Sequence, residues 1–226
     1  MSRIRRVGLT SREEYLDGWQ RLHGGYDPRA NPLVRGWLTG SYAVARPVAA
    51  AGVPPDAVTG VGVLVAAAAL WPAAAGGRCL LLSAAVVVLA GLLDTVDGSV
   101  AVLTGRATAW GAVLDAVADR IGDLAFLLTL LLAGAHPAVC AAGAALMLLQ
   151  EYLRARATAA GMADVGVVTV WERPTRIVVT AAFLASAAFL GDPWPDLGAA
   201  AWVGLGAVGL VQLAVVVRRR LGPTGS

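Results

Sequence analysis

Four aspartates fall within 26 residues of a sequence that is otherwise apolar enough to sit in a lipid bilayer. Asp94 and Asp97 are three residues apart, and Asp115 and Asp119 are four apart. On helices, both spacings set the paired side chains on one face, about a turn from each other. A carboxylate at the centre of a bilayer costs roughly 2.5–3.5 kcal/mol, so four of them need a compensating partner. The nearby bases, Arg106 and Arg120, are too few to neutralise four acids. A divalent cation answers the imbalance. An oxygen-only donor set suits Mg²⁺ or Mn²⁺ rather than zinc.

The rest of the chain bears out the membrane setting. Of its 226 residues 58% are hydrophobic, and the mean hydropathy is +0.69. Apolar runs of this length predict one polytopic α-helical membrane domain rather than soluble domains. The 18 basic residues are all arginine, and the net charge is only +3. That suits loops beside an anionic membrane, and no basic run with interleaved aromatics points to nucleic acid. Cys79 and Cys140 stand alone without metal-ligand spacing and read as small packing residues.

Residues 1–32 form a polar cytoplasmic lead-in carrying Arg3, Arg5 and Arg6, with Gly24, Gly25, Pro28 and Pro32 breaking any long helix. Residues 33–51 place Val34, Trp37, Leu38, Tyr42 and Val48 at helical spacing, which predicts an amphipathic helix at the membrane interface. Six membrane spans are expected at about 57–75, 79–103, 109–134, 137–161, 174–191 and 197–217. The organisation is thus a lead-in and interfacial helix over 1–52, a six-helix domain over 53–221, and a short tail over 222–226. Arginine gathers at Arg106, from Arg154 to Arg176, and at Arg218–Arg220, on one side with the amino terminus. The opposite loops hold Arg78, His136, Asp192 and Asp196. By the positive-inside rule both termini face the cytoplasm. The four acids then lie at the cytoplasmic ends of the second and third spans, where Gly105 lets the two helices run antiparallel.

The stretch from Asp94 to Asp119 resembles the signature of the CDP-alcohol phosphotransferase family, D-x2-D-G-x2-A-R-x8-G-x3-D-x3-D. Asp94, Asp97, Gly98, Ala101, Gly111, Asp115 and Asp119 match seven of its eight fixed positions; the eighth, an arginine, is Val102. The resemblance implies an integral membrane transferase, a homodimer, active in phospholipid synthesis. A CDP-linked lipid donates, a hydroxyl compound attacks the phosphorus next to the donor's alcohol, and CMP leaves. By motif position Asp94, Asp97, Asp115 and Asp119 would hold Mg²⁺ or Mn²⁺, as two ions, and Asp119 would also be the general base. Pro55-Asp56-Ala-Val-Thr59 resembles the family's cytidine-contacting element, although Asp-x-x-Thr alone also reads as a helix cap. Gly98 and Ala101 would let the nucleotide approach, and Thr108 stands where a hydroxyl residue lies near the diphosphate. Arg106, four residues beyond Val102, would supply the missing cation if the helix continues past Gly105.

Glu151-Tyr-Leu-Arg154-Ala-Arg156 and Trp171-Glu-Arg173-Pro-Thr-Arg176 resemble elements of bacterial phosphatidylinositol phosphate synthases within that family. Arg154, Arg156, Arg173 and Arg176 would make a cationic pocket beside the metals, and arginine forks suit a phosphorylated polyol such as inositol phosphate. Glycerol 3-phosphate is the alternative acceptor. Asp123 and Glu151 read as salt-bridge partners, and neither His23 nor His136 is placed to act as a base. The rival from another class is a cation or solute transporter, since intramembrane acids also mark ion pathways. Against it stand the clustering of acids on one side and the absence of paired broken helices.

Overall fold

The computed structural model describes residues 11–22, 27–162 and 169–221. The arginines at 3, 5 and 6, His23 and the tail 222–226 lie outside the described residues. Among those described, all regular structure is helical. Helix α1 (Arg12–Leu22) leads through a 3₁₀ turn (Pro28–Ala30) to α2 (Pro32–Ala50), α3 (Pro55–Ala68) and the short α4 (Leu70–Ala75). Five long helices follow: α5 (Cys79–Thr104), α6 (Ala109–Leu132), α7 (Pro137–Ala159), α8 (Arg173–Leu190) and α9 (Trp194–Leu221).

Local chemistry sets the boundaries. Proline opens α2, α3 and α7, where its missing N–H would be unsatisfied anyway. His136 caps α7, its Nδ1 accepting from the Ala138 amide at 3.2 Å, so its ring is occupied as a helix cap. Thr108 caps α6, its Oγ1 accepting from the Gly111 amide at 2.9 Å.

Helices stand at every position where a span is expected. Among the described residues four stretches are long and apolar enough to cross a membrane: Pro55–Ala75, Cys79–Thr104, Arg173–Leu190 and Trp194–Leu221. Helix α6, with Asp115, Asp119, Arg120 and Asp123, and α7, with Glu151, Arg154 and Arg156, are long but more charged, and stand outside that set.

Two compact units can be distinguished, one of Met1–Gly62 with Leu92–Asp119, the other of Val63–Gly91 with Arg120–Ser226. In the first, Tyr15 and Leu16 of α1 pack with Leu38 and Ala45 of α2, Val58 of α3, and Val96, Val100 and Leu103 of α5. Tyr15 is wholly buried, its hydroxyl 2.8 Å from Ser99 Oγ and its ring 5.5 Å from that of Tyr42. Arg29 ties the 3₁₀ turn to α1 through Asp17 at 2.7 Å and Glu13 at 3.1 Å. The polar lead-in therefore contains a helix with a buried face. Tyr15, Leu16 and Trp19 form a stripe too short to stand out among the surrounding charges.

In the second unit α9 packs on α7 and α8. The rings of Trp171 and Trp202 meet edge to face at 5.1 Å, and Trp202 Nε1 donates to Thr180 Oγ1 at 3.0 Å. A Cβ at Gly209 would lie 2.7 Å from the Cβ of Trp171, so this approach requires glycine. Cys140 is buried and Cys79 exposed, both as free thiols.

Candidate active site

The site is built in the first unit, where the end of α5 turns into the start of α6. Gly105 adopts a φ of +62°, open to glycine at little cost. Its amide donates to the Val102 carbonyl at 3.3 Å, and the Arg106 amide donates to Ala101 at 3.0 Å. This paired closure ends a helix in the left-handed turn. Helix α5 thus stops at Thr104, and the expected route by which Arg106 would stand one helical turn beyond Val102 does not apply. The turn nonetheless leaves Arg106 lining the same cavity as Asp94 and Gly98.

Asp94 of α5 and Asp115 and Asp119 of α6 converge, each half-buried and each with a carboxylate oxygen within 4.8 Å of the others. Asp97 stands outside this group of three, although it lines the same cavity. It is only 3% exposed, accepts from Thr59 Oγ1 at 2.6 Å and from the Gly98 amide. The donor set is three converging carboxylates of oxygen alone, with no histidine or cysteine among them, which fits a hard divalent cation. The direction of Thr59's proton toward Asp97 gives that hydroxyl a task the sequence does not reveal.

A cavity of about 640 Å³ opens against these acids. That volume lies within the usual range for a small-molecule site. Its lining includes Asp56 and Thr59 of α3, Asp94, Gly98 and Ala101 of α5, then Arg106, Thr108, Gly111 and Asp115. Asp56 is exposed in the first turn of α3. A Cβ built on Gly111 would come within 3.7 Å of its Oδ1 and 3.2 Å of Thr108 Oγ1.

Gly98 differs from Gly111. A Cβ there meets nothing within 4 Å. Glycine inside a helix costs up to about 1 kcal/mol against alanine, and no neighbouring side chain requires its presence. The open face lies on the cavity. Gly98→Leu should fold and melt like the parent, yet weaken CMP binding at least about tenfold, a loss of 1.4 kcal/mol, in a calorimetric titration. Unchanged affinity would mean that the nucleotide does not use this face.

The four arginines expected to receive an acceptor lie on α7 and α8 in the second unit, and they differ in setting. Arg176 is wholly buried. Its Nη1 reaches Asp123 Oδ2 at 2.6 Å, and its Nη2 reaches Glu151 Oε1 at 3.3 Å and the Trp171 carbonyl at 3.0 Å. Arg120 joins the group at 2.8 Å from Glu151. Arg154 pairs with Glu172 at 2.9 Å, and Glu172 Oε1 also accepts from the Thr169 amide at 2.9 Å. Arg173 is half-buried and Arg156 exposed. Asp123 and Glu151 are salt-bridge partners, as their positions suggested. Missed from sequence were Trp19 and Ser99, which line the cavity; the only available signal was the apolar pair Tyr15 and Trp19, one helical turn apart.

The described residues thus combine helices of membrane length with three converging carboxylates, two of which line a cavity, a setting suited to a divalent cation in a membrane protein. The chain belongs to the CDP-alcohol phosphatidyltransferase family, whose model matches residues 53–217. It is 32% identical to the archaetidylinositol phosphate synthase of Aeropyrum pernix over 173 residues, 74% of this chain and 79% of that protein. It is 35% identical to the phosphatidylinositol phosphate synthase of Mycolicibacterium smegmatis over 176 residues, 72% of this chain and 76% of that one. Among solved structures it resembles the Mycobacterium tuberculosis phosphatidylinositol phosphate synthase with CDP-DAG bound, at a TM-score of 0.63 and 28% identity, over 77% of this chain and 90% of that one. The same enzyme in complex with manganese and citrate matches at a TM-score of 0.66 and 29% identity, over 78% and 88% of the two chains.

Proposed function

We propose that this transferase moves a phosphatidyl group from a CDP-linked lipid, such as CDP-diacylglycerol, to a hydroxyl of inositol phosphate, with release of CMP. The observation that carries the reading is the convergence of Asp94, Asp115 and Asp119 within 4.8 Å, two of them lining a cavity of nucleotide size. Asp94, Asp115 and Asp119 would hold Mg²⁺ or Mn²⁺, with Asp97, oriented by Thr59, as a further ligand that allows two ions. Bound metal supplies positive charge to the pyrophosphate oxygens and steadies the leaving CMP. Asp119 accepts the proton of the attacking hydroxyl. The acceptor oxygen bonds to the phosphorus next to the lipid alcohol, and the bond from that phosphorus to the CMP oxygen breaks. Asp56, Gly98, Ala101, Arg106 and Thr108 form the nucleotide's surroundings, Arg106 serving as the cation that Val102 lacks.

Arg154, Arg156 and Arg173 are the proposed hold on the acceptor's phosphate, with Arg176 as the buried centre that sets their geometry. The relatives named for inositol phosphate products support this acceptor over glycerol 3-phosphate. The proposal extends to six membrane spans, α6 and α7 included, with α2 at the interface, both termini and the site facing the cytoplasm, and a homodimer. The test is CMP release from CDP-diacylglycerol with Mg²⁺ across inositol phosphate, glycerol 3-phosphate, inositol and serine. Release with inositol phosphate alone is expected. Release with another acceptor overturns the acceptor assignment, and no binding of the CDP-lipid overturns the donor assignment.

A further inference from the structure

The feature of the first unit that the reaction as proposed does not use is α1. Its inner face is fully packed: Tyr15 and Leu16 are no more than 1% exposed, and Tyr15 is bonded to Ser99 of α5. The next turn comes closer still. A Cβ on Gly18 would lie 2.8 Å from Val102 Cγ1, so α1 rests directly on the position where the family signature has arginine. The residue after Gly18 is Trp19, half-buried, packed against the apolar cluster of this unit and lining the cavity. Among the described residues lining that cavity it is the one aromatic.

We infer that α1 is a wall of the donor cavity and that Trp19 is a donor-binding residue, offering its indole face to the nucleobase of the CDP-linked donor. This rests on the donor assignment under Proposed function and deepens it. An indole presents a large flat apolar surface at low entropic cost, and stacking between an aromatic side chain and a base is a strong, sequence-tolerant contact. Asp56, which lines the same cavity, then has the base's exocyclic amine to accept from. Val102 and α1 belong together: a cation at 102 is exchanged for a base platform carried by a docked helix. Phosphate charge is left to Arg106 and the metal.

The test is calorimetric CMP binding, with Mn²⁺ present, to the full chain and to Trp19→Phe, Trp19→Leu and Trp19→Ala, alongside Mn²⁺ binding measured separately. Trp19→Phe should retain affinity within a few-fold. Trp19→Leu, apolar but without a ring face, and Trp19→Ala should each bind CMP about tenfold or more weakly, with Mn²⁺ affinity unchanged. Wild-type affinity in Trp19→Leu overturns the inference and leaves the donor assignment standing. Equal loss in all three variants, together with loss of Mn²⁺ binding, makes Trp19 a packing residue and also overturns it. Absence of CMP binding by the parent protein overturns the donor assignment itself.

Discussion

Asp119→Asn is expected to slow CMP release by about 10²- to 10⁴-fold, the range associated with losing a positioned general base. CMP itself should still bind within a few-fold of the parent. Asparagine keeps the shape and one oxygen of the side chain but cannot accept the hydroxyl proton. Asp94→Asn and Asp115→Asn should instead act first on the metal, raising the Mn²⁺ concentration needed for half-occupancy. The three carboxylates have oxygens within 4.8 Å of one another. Two unit charges at that distance repel by on the order of 3 kcal/mol at an effective dielectric of about 20, before further screening by solvent in a half-buried site. Each asparagine variant should therefore melt higher than the parent without metal and gain less on adding Mn²⁺. That crossing of melting temperatures separates a metal cluster from three unrelated acids. Parent-like turnover by Asp119→Asn would remove it as the base.

Helix positions were legible because apolar runs are long and their ends are marked by local chemistry, such as the proline after His136 and the glycine at 105. The convergence of Asp115 and Asp119 with Asp94 was legible for the same reason: an i,i+4 pair and a tight turn are local facts. What was not legible is nonlocal. Asp97 shares a helix with Asp94, but its partner Thr59 lies 38 residues away, and nothing in the spacing says which acid of a pair a distant hydroxyl will engage. Arg176 reads from sequence like any other arginine near a membrane surface. Its burial depends on Asp123, 53 residues distant. Helix α1 escaped notice because its apolar stripe of Tyr15, Leu16 and Trp19 is short and lies in a charged segment; only docking on α5 gives it a buried side.

The burial of Arg176 leads to the largest expected effect on stability. Its side chain and that of Asp123 have no exposed surface, and they meet at 2.6 Å. Removing one partner of such a pair leaves an uncompensated buried charge, at a cost of about 3–5 kcal/mol. Asp123→Asn, nearly unchanged in volume, should lower the stability of the detergent-solubilised protein by that amount in thermal or denaturant unfolding. Arg120 and Glu151 cannot absorb the loss fully, since their own contact at 2.8 Å already spends much of that carboxylate. Replacing both members with apolar side chains behaves differently. Asp123→Leu with Arg176→Met takes away the desolvation cost along with the attraction, and should recover much of the lost stability. The pair of experiments also distinguishes a structural arginine from one that holds the acceptor. With stability recovered and CMP still bound, the double variant should retain turnover and its KM for inositol phosphate if Arg176 serves the fold alone, whereas a sharp rise in that KM would tie it to the acceptor's hold, directly or through its neighbours. An Asp123→Asn protein that unfolds like the parent would show that the buried pair contributes nothing to the fold.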